Sequence, residues 1–196
     1  MSRLSALDRA DLPDYEPLFQ IVESVMGFLP NSMLTMARNK PLLDAFSGMA
    51  MVVNGPGEVS SELKSLIAFI CSRSAGCDYC MAHTSHTAVE MHGVAQDKFD
   101  AIWAYETSDH FSPAERAALM VAQGAGASPN AMTDEDFERL KDHYTDDQIV
   151  EIVAVVSLFG FLNRWNSTMS TDLERSPLAF GDNHLKTRGW SGQGHR

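Results

Sequence analysis

The stretch TDDQIVEIVAVVSLFGFLNRW, residues 145–165, limits the folds available to this chain most strongly. Its opening threonine, followed three residues later by a glutamine, is the pattern of a helix N-terminal cap. The apolar run that follows is rich in valine and isoleucine, which are poor helix formers in isolation, so neighbouring elements must bury this helix. The stretch therefore predicts a long packed helix with the rest of the chain arranged around it.

Helix signals also dominate the rest of the sequence, whereas the period of two that marks β-strands is weak throughout. Serine or threonine caps, glycine stops and apolar periodicity locate the other helices. These helices begin near Ser60, Cys77, Val94, Ser112 and Thr133, and two more lie near the N-terminus, broken around Pro30. We predict an all-α fold in one compact multi-helix domain.

The C-terminal stretch SPLAFGDNHLKTRGWSGQGHR, which begins at Ser176, is rich in glycine and polar residues and has no helical period. We therefore divide the chain into a helical domain, residues 1–175, and a polar, glycine-rich tail, residues 176–196. Such a tail is expected to be a mobile terminus or an arm that lies on a neighbouring subunit.

An internal comparison raises a second hypothesis about the fold. The segment from Ser61 to Cys80 can be aligned with the segment from Asp146 to Asn166, so that Cys77 matches Asn163 and Cys80 matches Asn166. Because any two amphipathic helices can be matched in this way, duplication of a helix pair is one interpretation of this alignment and chance is the other.

The formal net charge of −11 argues against nucleic acid or an anionic membrane as a partner, since either would be repelled. The N-terminus mixes acidic residues and prolines where a signal peptide needs a basic region and an apolar run, and no later stretch approaches membrane-spanning length. We expect a cytoplasmic protein that binds a small or uncharged ligand.

Three cysteines, Cys71, Cys77 and Cys80, are too few and too clustered for a disulfide framework. Cys77, Cys80, His83 and His86 follow one another every third residue and suggest a zinc site. On one helix, however, they would spread over about 13 Å and around about half a turn, so they cannot converge on a single ion. Geometry disfavours a metal site, and we expect none.

A redox dithiol has simpler requirements than a zinc site. It needs two sulfur atoms close together, one of which ionises. Cys77 and Cys80 stand at a predicted helix start, where unpaired N–H groups stabilise a thiolate. His83 shares a helix face with Cys80, and both His83 and His86 can transfer protons near neutral pH. The alternative is that the cysteines are small buried residues and the histidines surface residues, which is our interpretation of Cys71 in its apolar stripe.

The motif SRSAGCDYCMAH, together with SSELKSLI before it and FSPAERAALMVAQ and FLNRWN after it, resembles the alkylhydroperoxidase D/carboxymuconolactone decarboxylase-like superfamily. The likeness is to its peroxidase-related members and extends from about YEPLF to NRWN. It implies an all-helical fold, homo-oligomers such as trimers or hexamers, and thiol-dependent reduction of a hydroperoxide without a bound cofactor.

The resemblance also implies roles for individual residues. Cys80 would attack the peroxide and Cys77 would resolve it as a disulfide, with a glutamate and a histidine relaying protons. An external dithiol, in some members a lipoylated protein, would then restore the thiols. His83 and His86 are the candidate histidines, and Glu62 is the candidate glutamate.

Two positions depart from the family pattern. The relay glutamate usually falls where this chain has Ser65, and the histidine after the second cysteine often falls where it has Thr84. Glu62 lies one turn before Ser65 and can substitute for the glutamate, or it can act as a first-turn residue that favours its own helix. Glu151 is a more remote candidate for the relay.

The remaining polar residues near these motifs have structural interpretations. Tyr79 and His92 are expected to pack at helix ends, and hydrogen bonding in the core or at an interface explains Asn163 and Asn166 better than catalysis does. Two other functions stay open: a lyase acting on a carboxymuconolactone-like compound, which needs no cysteine pair, and a non-enzymatic redox sensor whose disulfide alters oligomer contacts.

Overall fold

The computed structural model describes residues 2–196 and forms ten α-helices and no strand within that range. The all-α fold predicted from the helix signals is confirmed. The helices are α1 (Glu16–Met26), α2 (Asn31–Met36), α3 (Lys40–Asn54), α4 (Ser61–Ser74), α5 (Asp78–His86), α6 (Gln96–Asp100), α7 (Pro113–Gly126), α8 (Asp134–Lys141), α9 (Asp146–Met169) and α10 (Arg175–His184).

Helix α4 is the central element of the core. The side chain of Ser60 caps it by accepting a hydrogen bond from the backbone N–H of Leu63 at 3.2 Å. From Leu63 to Ser72 every residue is buried, because α5, α7 and α9 all pack against this helix. A helix that is buried on all sides holds its neighbours in fixed positions, which matters because α5 carries the cysteine pair.

Helix α9 is the long helix predicted from residues 145–165. Thr145 and Gln148 form the expected capping box, and the helix continues for 24 residues. By length and composition alone it could cross a membrane, so the expectation that no stretch approaches that length is wrong. The helix is longer than its apolar run because it continues through buried Asn166 to Met169, and one of its faces packs on α3, α4, α5 and α7.

The helix starts predicted at Ser112 and Thr133 are also formed, each with a capping box. Ser112 and Glu115 exchange hydrogen bonds between side chain and backbone at the start of α7, and Thr133 and Asp136 do the same at the start of α8. These reciprocal bonds satisfy backbone N–H groups that a helix start leaves free.

The N-terminal region differs from the prediction of two helices, since three form before residue 55. The additional break lies between α2 and α3. There the Asn39 side chain accepts a hydrogen bond from the backbone N–H of Leu42 at 3.3 Å, and Pro41 occupies the first turn of α3. Asparagine caps and first-turn prolines start new helices, so this local signal outweighs the continuous apolar pattern.

The sequence pattern predicted no helix after residue 175, but the structure contains one. Helix α10 forms there and packs against α5, and Trp190 beyond it is buried. Gly181 makes this packing possible, because a Cβ atom at that position would lie 2.5 Å from the Trp190 ring. Glycine therefore serves close packing here, which is why composition alone was misleading.

The hypothesis of a duplicated helix pair stays a prediction. The two aligned segments differ in shape, because α4 and α5 are separated by a turn at Gly76, whereas α9 is continuous over the matching residues.

Candidate active site

The cysteine pair lies at the turn between α4 and α5. Gly76 has a φ of +67°, which glycine adopts without strain, and the chain then enters α5 with Cys77 as its N-cap residue. Cys80 follows in the first turn. Both side chains are buried, and all three cysteines of the described chain are free thiols. The predicted placement of the pair at a helix start is confirmed.

The two thiols share a hydrogen bond that separates their acidities. The hydrogen bond from the Cys80 thiol lowers the pKa of Cys77 below its ordinary value, although burial opposes this. Burial raises the pKa of Cys80 well above its ordinary value, and the bond to Cys77 adds to this effect. The first proton is therefore lost from Cys77. Cys80 becomes a thiolate when it passes its proton to Cys77.

A cavity of about 460 Å³ opens beside Cys80. Its surface is mainly apolar, and it lies between α1, α2, α3, α4, α5 and α9. Cys80 lines the cavity, whereas Cys77 is not among the described residues that do. The apolar lining includes Leu18, Val22, Met33, Phe46, Leu158 and Leu162. The pair is thus two-sided, with one sulfur facing a small-molecule site and its partner behind it.

A polar network joins the cavity wall to the start of α10. His83 Nε2 lies 2.5 Å from Glu174 Oε2, and Tyr79 donates a hydrogen bond from its hydroxyl to Glu174 Oε1 at 2.9 Å. Burial opposes ionisation of Glu174, but His83 and the backbone N–H of Asn31 hold the pKa of this carboxyl below its usual range. The Tyr79 ring stacks on the His83 ring with centroids 4.1 Å apart. His83 is therefore fixed in orientation at the cavity.

Two asparagines of α9 contact cysteines. Asn166 Nδ2 lies 3.5 Å from Cys80 Sγ, and one turn earlier Asn163 Nδ2 lies 3.8 Å from Cys71 Sγ. The Asn166 contact favours the thiolate form of Cys80, because an N–H donor stabilises negative charge on sulfur. Cys71 is a core residue, as its apolar stripe predicts, and burial raises its pKa to about 11.

A second histidine also lines the cavity. His92 Nδ1 lies 2.5 Å from Ser65 Oγ, and both residues are part of the cavity wall. Burial lowers the pKa of His92, so the neutral ring is favoured. His92 therefore has a partner in α4 in addition to its predicted position near a helix end.

The C-terminal segment covers the start of α5. The indole N–H of Trp190 donates to the Asp78 carbonyl oxygen at 2.8 Å, and the Gly192 N–H donates to the Asp78 carboxylate at 2.9 Å. We call residues 190–196 the C-terminal strap. The strap lies directly over Asp78, the residue that follows Cys77. The Cys77 side chain itself has no solvent-exposed surface.

The structure separates the two remaining predicted site residues from the cavity. His86 packs against Phe28 and Phe180 and is absent from the described lining residues. Glu62 lies in the first turn of α4 and its carboxylate binds Lys98 at 2.9 Å, also away from the cavity. Cys80 and His83 are thus brought together at the site, with Cys77 behind, whereas His86 and Glu62 are not.

Among residues 2–196, no three histidine, cysteine, aspartate or glutamate side chains are arranged to hold a metal ion.

Comparisons with known proteins cover part of the chain at the level of a family model and nearly the whole chain at the level of solved structures. The carboxymuconolactone decarboxylase family model matches residues 40–124. The debrominase Bmp8 has 40% identity, with 91% of this chain and 95% of that chain covered and a TM-score of 0.86, and its structures include a cysteine-to-alanine variant in complex with 2,3,4-tribromopyrrole. This chain belongs to the alkylhydroperoxidase D/carboxymuconolactone decarboxylase-like superfamily.

Two other similar proteins show how far this likeness extends. An uncharacterised peroxidase-related protein from Ralstonia eutropha JMP134 shares the fold, with a TM-score of 0.78, 24% identity and coverage of 92% of this chain and 96% of that one. The uncharacterised protein YnjA of Escherichia coli is 30% identical over 107 residues, which are 55% of this chain and 58% of that protein.

The structure explains both departures from the superfamily pattern. Ser65, where the relay glutamate usually falls, is paired with His92. Thr84, where the histidine often falls, donates its hydroxyl to the Cys80 carbonyl oxygen at 2.7 Å. Glu151, the remote candidate, binds Lys64 at 3.1 Å and the backbone N–H of Glu58. Neither Glu62 nor Glu151 is among the described lining residues.

Sequence reasoning missed Glu174, which supplies the carboxylate at this site. It is 91 residues from His83 and precedes a segment that we interpreted as a tail. No motif identifies it. The only available signal is the length of α9. After so long a helix the chain must turn back, and the residues that follow Met169 then lie close to α5.

Proposed function

We propose that this protein is a dithiol-dependent reductase that removes a halogen, as bromide, from a small halogenated aromatic compound bound against Cys80. The single observation that carries the proposal is the two-sided pair: Cys80 faces an apolar cavity of about 460 Å³ while Cys77 contacts it from behind. The 40% identity to the debrominase Bmp8 extends over nearly the whole length of both chains and supports the substrate class.

The chemistry balances with two thiols and one carbon–bromine bond. The Cys80 thiolate attacks bromine, an S–Br bond forms, and the C–Br electron pair stays on the ring carbon, which takes up a proton. The Cys77 thiolate then attacks the Cys80 sulfur, a disulfide forms, and bromide leaves. In sum, the ring is reduced from C–Br to C–H, the two thiols are oxidised to a disulfide, and HBr is released.

His83 is the proposed source of the proton for the ring carbon. It lines the same cavity as Cys80, and its bond to the buried Glu174 carboxylate orients the ring. Glu174 then acts through His83 as a positioning residue, because it does not itself line the cavity among the described residues.

We propose further that an external dithiol, such as a lipoylated protein, reduces the disulfide after each turnover in the cytoplasm. We also propose a homo-oligomer, a trimer or hexamer. The exposed apolar pairs Ile21 and Val25 on α1, and Val150 and Val153 on α9, support an association of subunits, since apolar side chains one helix turn apart form a shared exposed surface. Light scattering coupled to gel filtration tests the assembly.

Reduction of an organic hydroperoxide is a second candidate, because the same thiol pair can carry it out. The Cys80 thiolate would attack the terminal peroxide oxygen, the O–O bond would break, and the alcohol would leave after it takes up a proton. Cys77 would then displace water from the resulting sulfenic acid and form the disulfide. The superfamily contains peroxidase-related proteins, which supports this alternative. The position of the relay glutamate is held by Ser65, which argues for a weaker peroxidase.

The test is turnover of a panel of polybrominated pyrroles, including 2,3,4-tribromopyrrole, by reduced protein with a dithiol under anaerobic conditions. Bromide is measured by ion chromatography, and the same preparations are assayed with cumene hydroperoxide. We expect bromide release that is lost in Cys80→Ser and retained in Cys71→Ala, whose cysteine lies in the core. Peroxide consumption without bromide release would favour the second candidate, and bromide release that survives Cys80→Ser would contradict the proposal.

A further inference from the structure

One buried acceptor at the candidate active site has no partner. Asn166 is 1% exposed and lines the cavity, and its Nδ2 contacts Cys80 Sγ. Its Oδ1 has no hydrogen-bond partner among the described residues. Buried polar atoms nearly always have a partner, so an acceptor left free in a cavity wall indicates a donor that a ligand brings.

The two ends of the Asn166 amide have different functions. The amide N–H is directed to the sulfur, which accepts hydrogen bonds as a thiolate. The carbonyl oxygen is bonded to the same amide carbon, so a ligand donor that reaches it lies next to the group that contacts Cys80. The amide therefore ties the position of a ligand donor to the position of the attacking sulfur.

We infer that Asn166 Oδ1 accepts a hydrogen bond from a ring N–H or a phenolic O–H of the substrate. This inference deepens the proposed function and rests on it, and it names the substrate class: halogenated azoles and phenols whose halogen is adjacent to the N–H or O–H group. With the donor on Oδ1, the neighbouring ring carbon and its halogen lie at Cys80.

Asn163 provides an internal comparison on the same helix. It is also buried, its Oδ1 is likewise without a partner among the described residues, and its Nδ2 contacts Cys71. Asn163 is not among the described residues that line the cavity, however. An asparagine that contacts a cysteine therefore occurs in the core as well, and the access of Asn166 to the cavity is what distinguishes it.

The experiment measures binding and is independent of turnover. Calorimetry on the Cys80→Ala protein compares 2,3,4-tribromopyrrole with its N-methyl derivative, which lacks the donor. We expect the N–H compound to bind about tenfold more tightly, the effect of one neutral hydrogen bond. Asn166→Leu removes the acceptor and should abolish this preference. Asn166→Asp keeps an acceptor and should retain it. The matched control Asn163→Leu should also retain it.

Equal binding of the two compounds by Cys80→Ala would overturn the inference, as would binding of neither. A preference that survives Asn166→Leu would also overturn it, because the methyl group would then be excluded by shape alone. If Asn166→Leu does not fold, Asn166→Ala, which also removes the acceptor, makes the same comparison. Failure of the proposed function is separate, since it appears as absence of bromide release by the wild-type protein.

Discussion

The carboxylate oxygen Oε2 of Glu174 lies 2.5 Å from Nε2 of His83, although 91 residues separate the two in the chain. This contact links the segment between α9 and α10 to the helix that carries the cysteines. It gives the site a carboxylate and histidine pair, which the superfamily pattern would place at Ser65 and Thr84.

Replacement of Glu174 by glutamine tests this pair. The amide keeps the shape but removes the negative charge that orients the His83 ring, so we expect turnover to fall about tenfold or more. The unfolding free energy should fall by about 1–3 kcal/mol, because a buried charged hydrogen bond is lost. The rate of bromide release as a function of pH measures the first effect, and urea unfolding measures the second.

Glu62→Gln is the matched comparison, because Glu62 is the carboxylate that the sequence pattern suggests for the relay. Its carboxylate binds Lys98 outside the cavity, so turnover within about twofold of the wild type is expected. Loss of turnover in Glu62→Gln with full activity in Glu174→Gln would reverse the assignment.

His86 should make the protein less stable in mild acid. Burial lowers the pKa of His86 in the folded state below 6.5, so the unfolded chain takes up this proton first. The contribution of the neutral ring to stability is therefore complete above about pH 6.5 and is lost as the pH falls below that value. In His86→Leu, the unfolding free energy should decrease less than in the wild type as the pH is lowered from 7.5. Urea titration at each pH measures it.

The same variant tests the predicted catalytic role of His86. Because the ring contacts Phe28 and Phe180 rather than the cavity, turnover at pH 7.5 should be retained. A loss of turnover in a folded His86→Leu protein would place His86 in the proton relay after all.

The C-terminal strap should control access to Cys77. Trp190→Ala removes the indole that donates to the Asp78 carbonyl and leaves a gap against Gly181. We expect Cys77 to be alkylated by iodoacetamide about tenfold faster, because the strap then opens at a lower free energy. Peptide mass spectrometry reports each cysteine separately. Trp165→Ala, which packs in a different cluster, is the control, and equal rates in all three proteins would contradict a covering role.

Ser65→Glu tests the departure from the superfamily pattern. A glutamate at this position would restore the usual relay carboxylate and meet His92, which now binds Ser65 at 2.5 Å. We expect the rate of cumene hydroperoxide consumption to rise about tenfold, within the range typical of a positioned proton donor or acceptor. Ser47→Ala, at another cavity position, controls for altered shape, and an unchanged or lower rate would show that Ser65 does not limit peroxide reduction.

Local patterns were sufficient to predict most of the fold. Caps at Ser60, Ser112, Thr133 and Thr145 depend on residues three apart, and the structure forms all four. The cysteine turn was predictable for the same reason, since Gly76 and the two cysteines are close in sequence. Helix α10 was missed because tertiary contacts with α5 stabilise it, and periodicity does not report such contacts.

The candidate site was predictable only where its residues share one helix. Cys80 and His83 are three residues apart, so one helix turn brings them together. Asn166 and His92 reach the cavity, and Glu174 reaches His83, only through tertiary packing, which no spacing in the sequence reveals. The interpretation of Asn166 as a core residue described its burial correctly but could not include the cavity, which exists only in the folded chain.

The most direct test of the account is a single turnover without added reductant. Reduced protein is mixed anaerobically with an excess of brominated pyrrole, and bromide and free thiols are counted, with mass spectrometry to locate any disulfide. The account predicts one bromide and two lost thiols per chain, joined as a Cys77–Cys80 disulfide. Bromide release with all thiols retained, or a disulfide formed only with hydroperoxide, would contradict it.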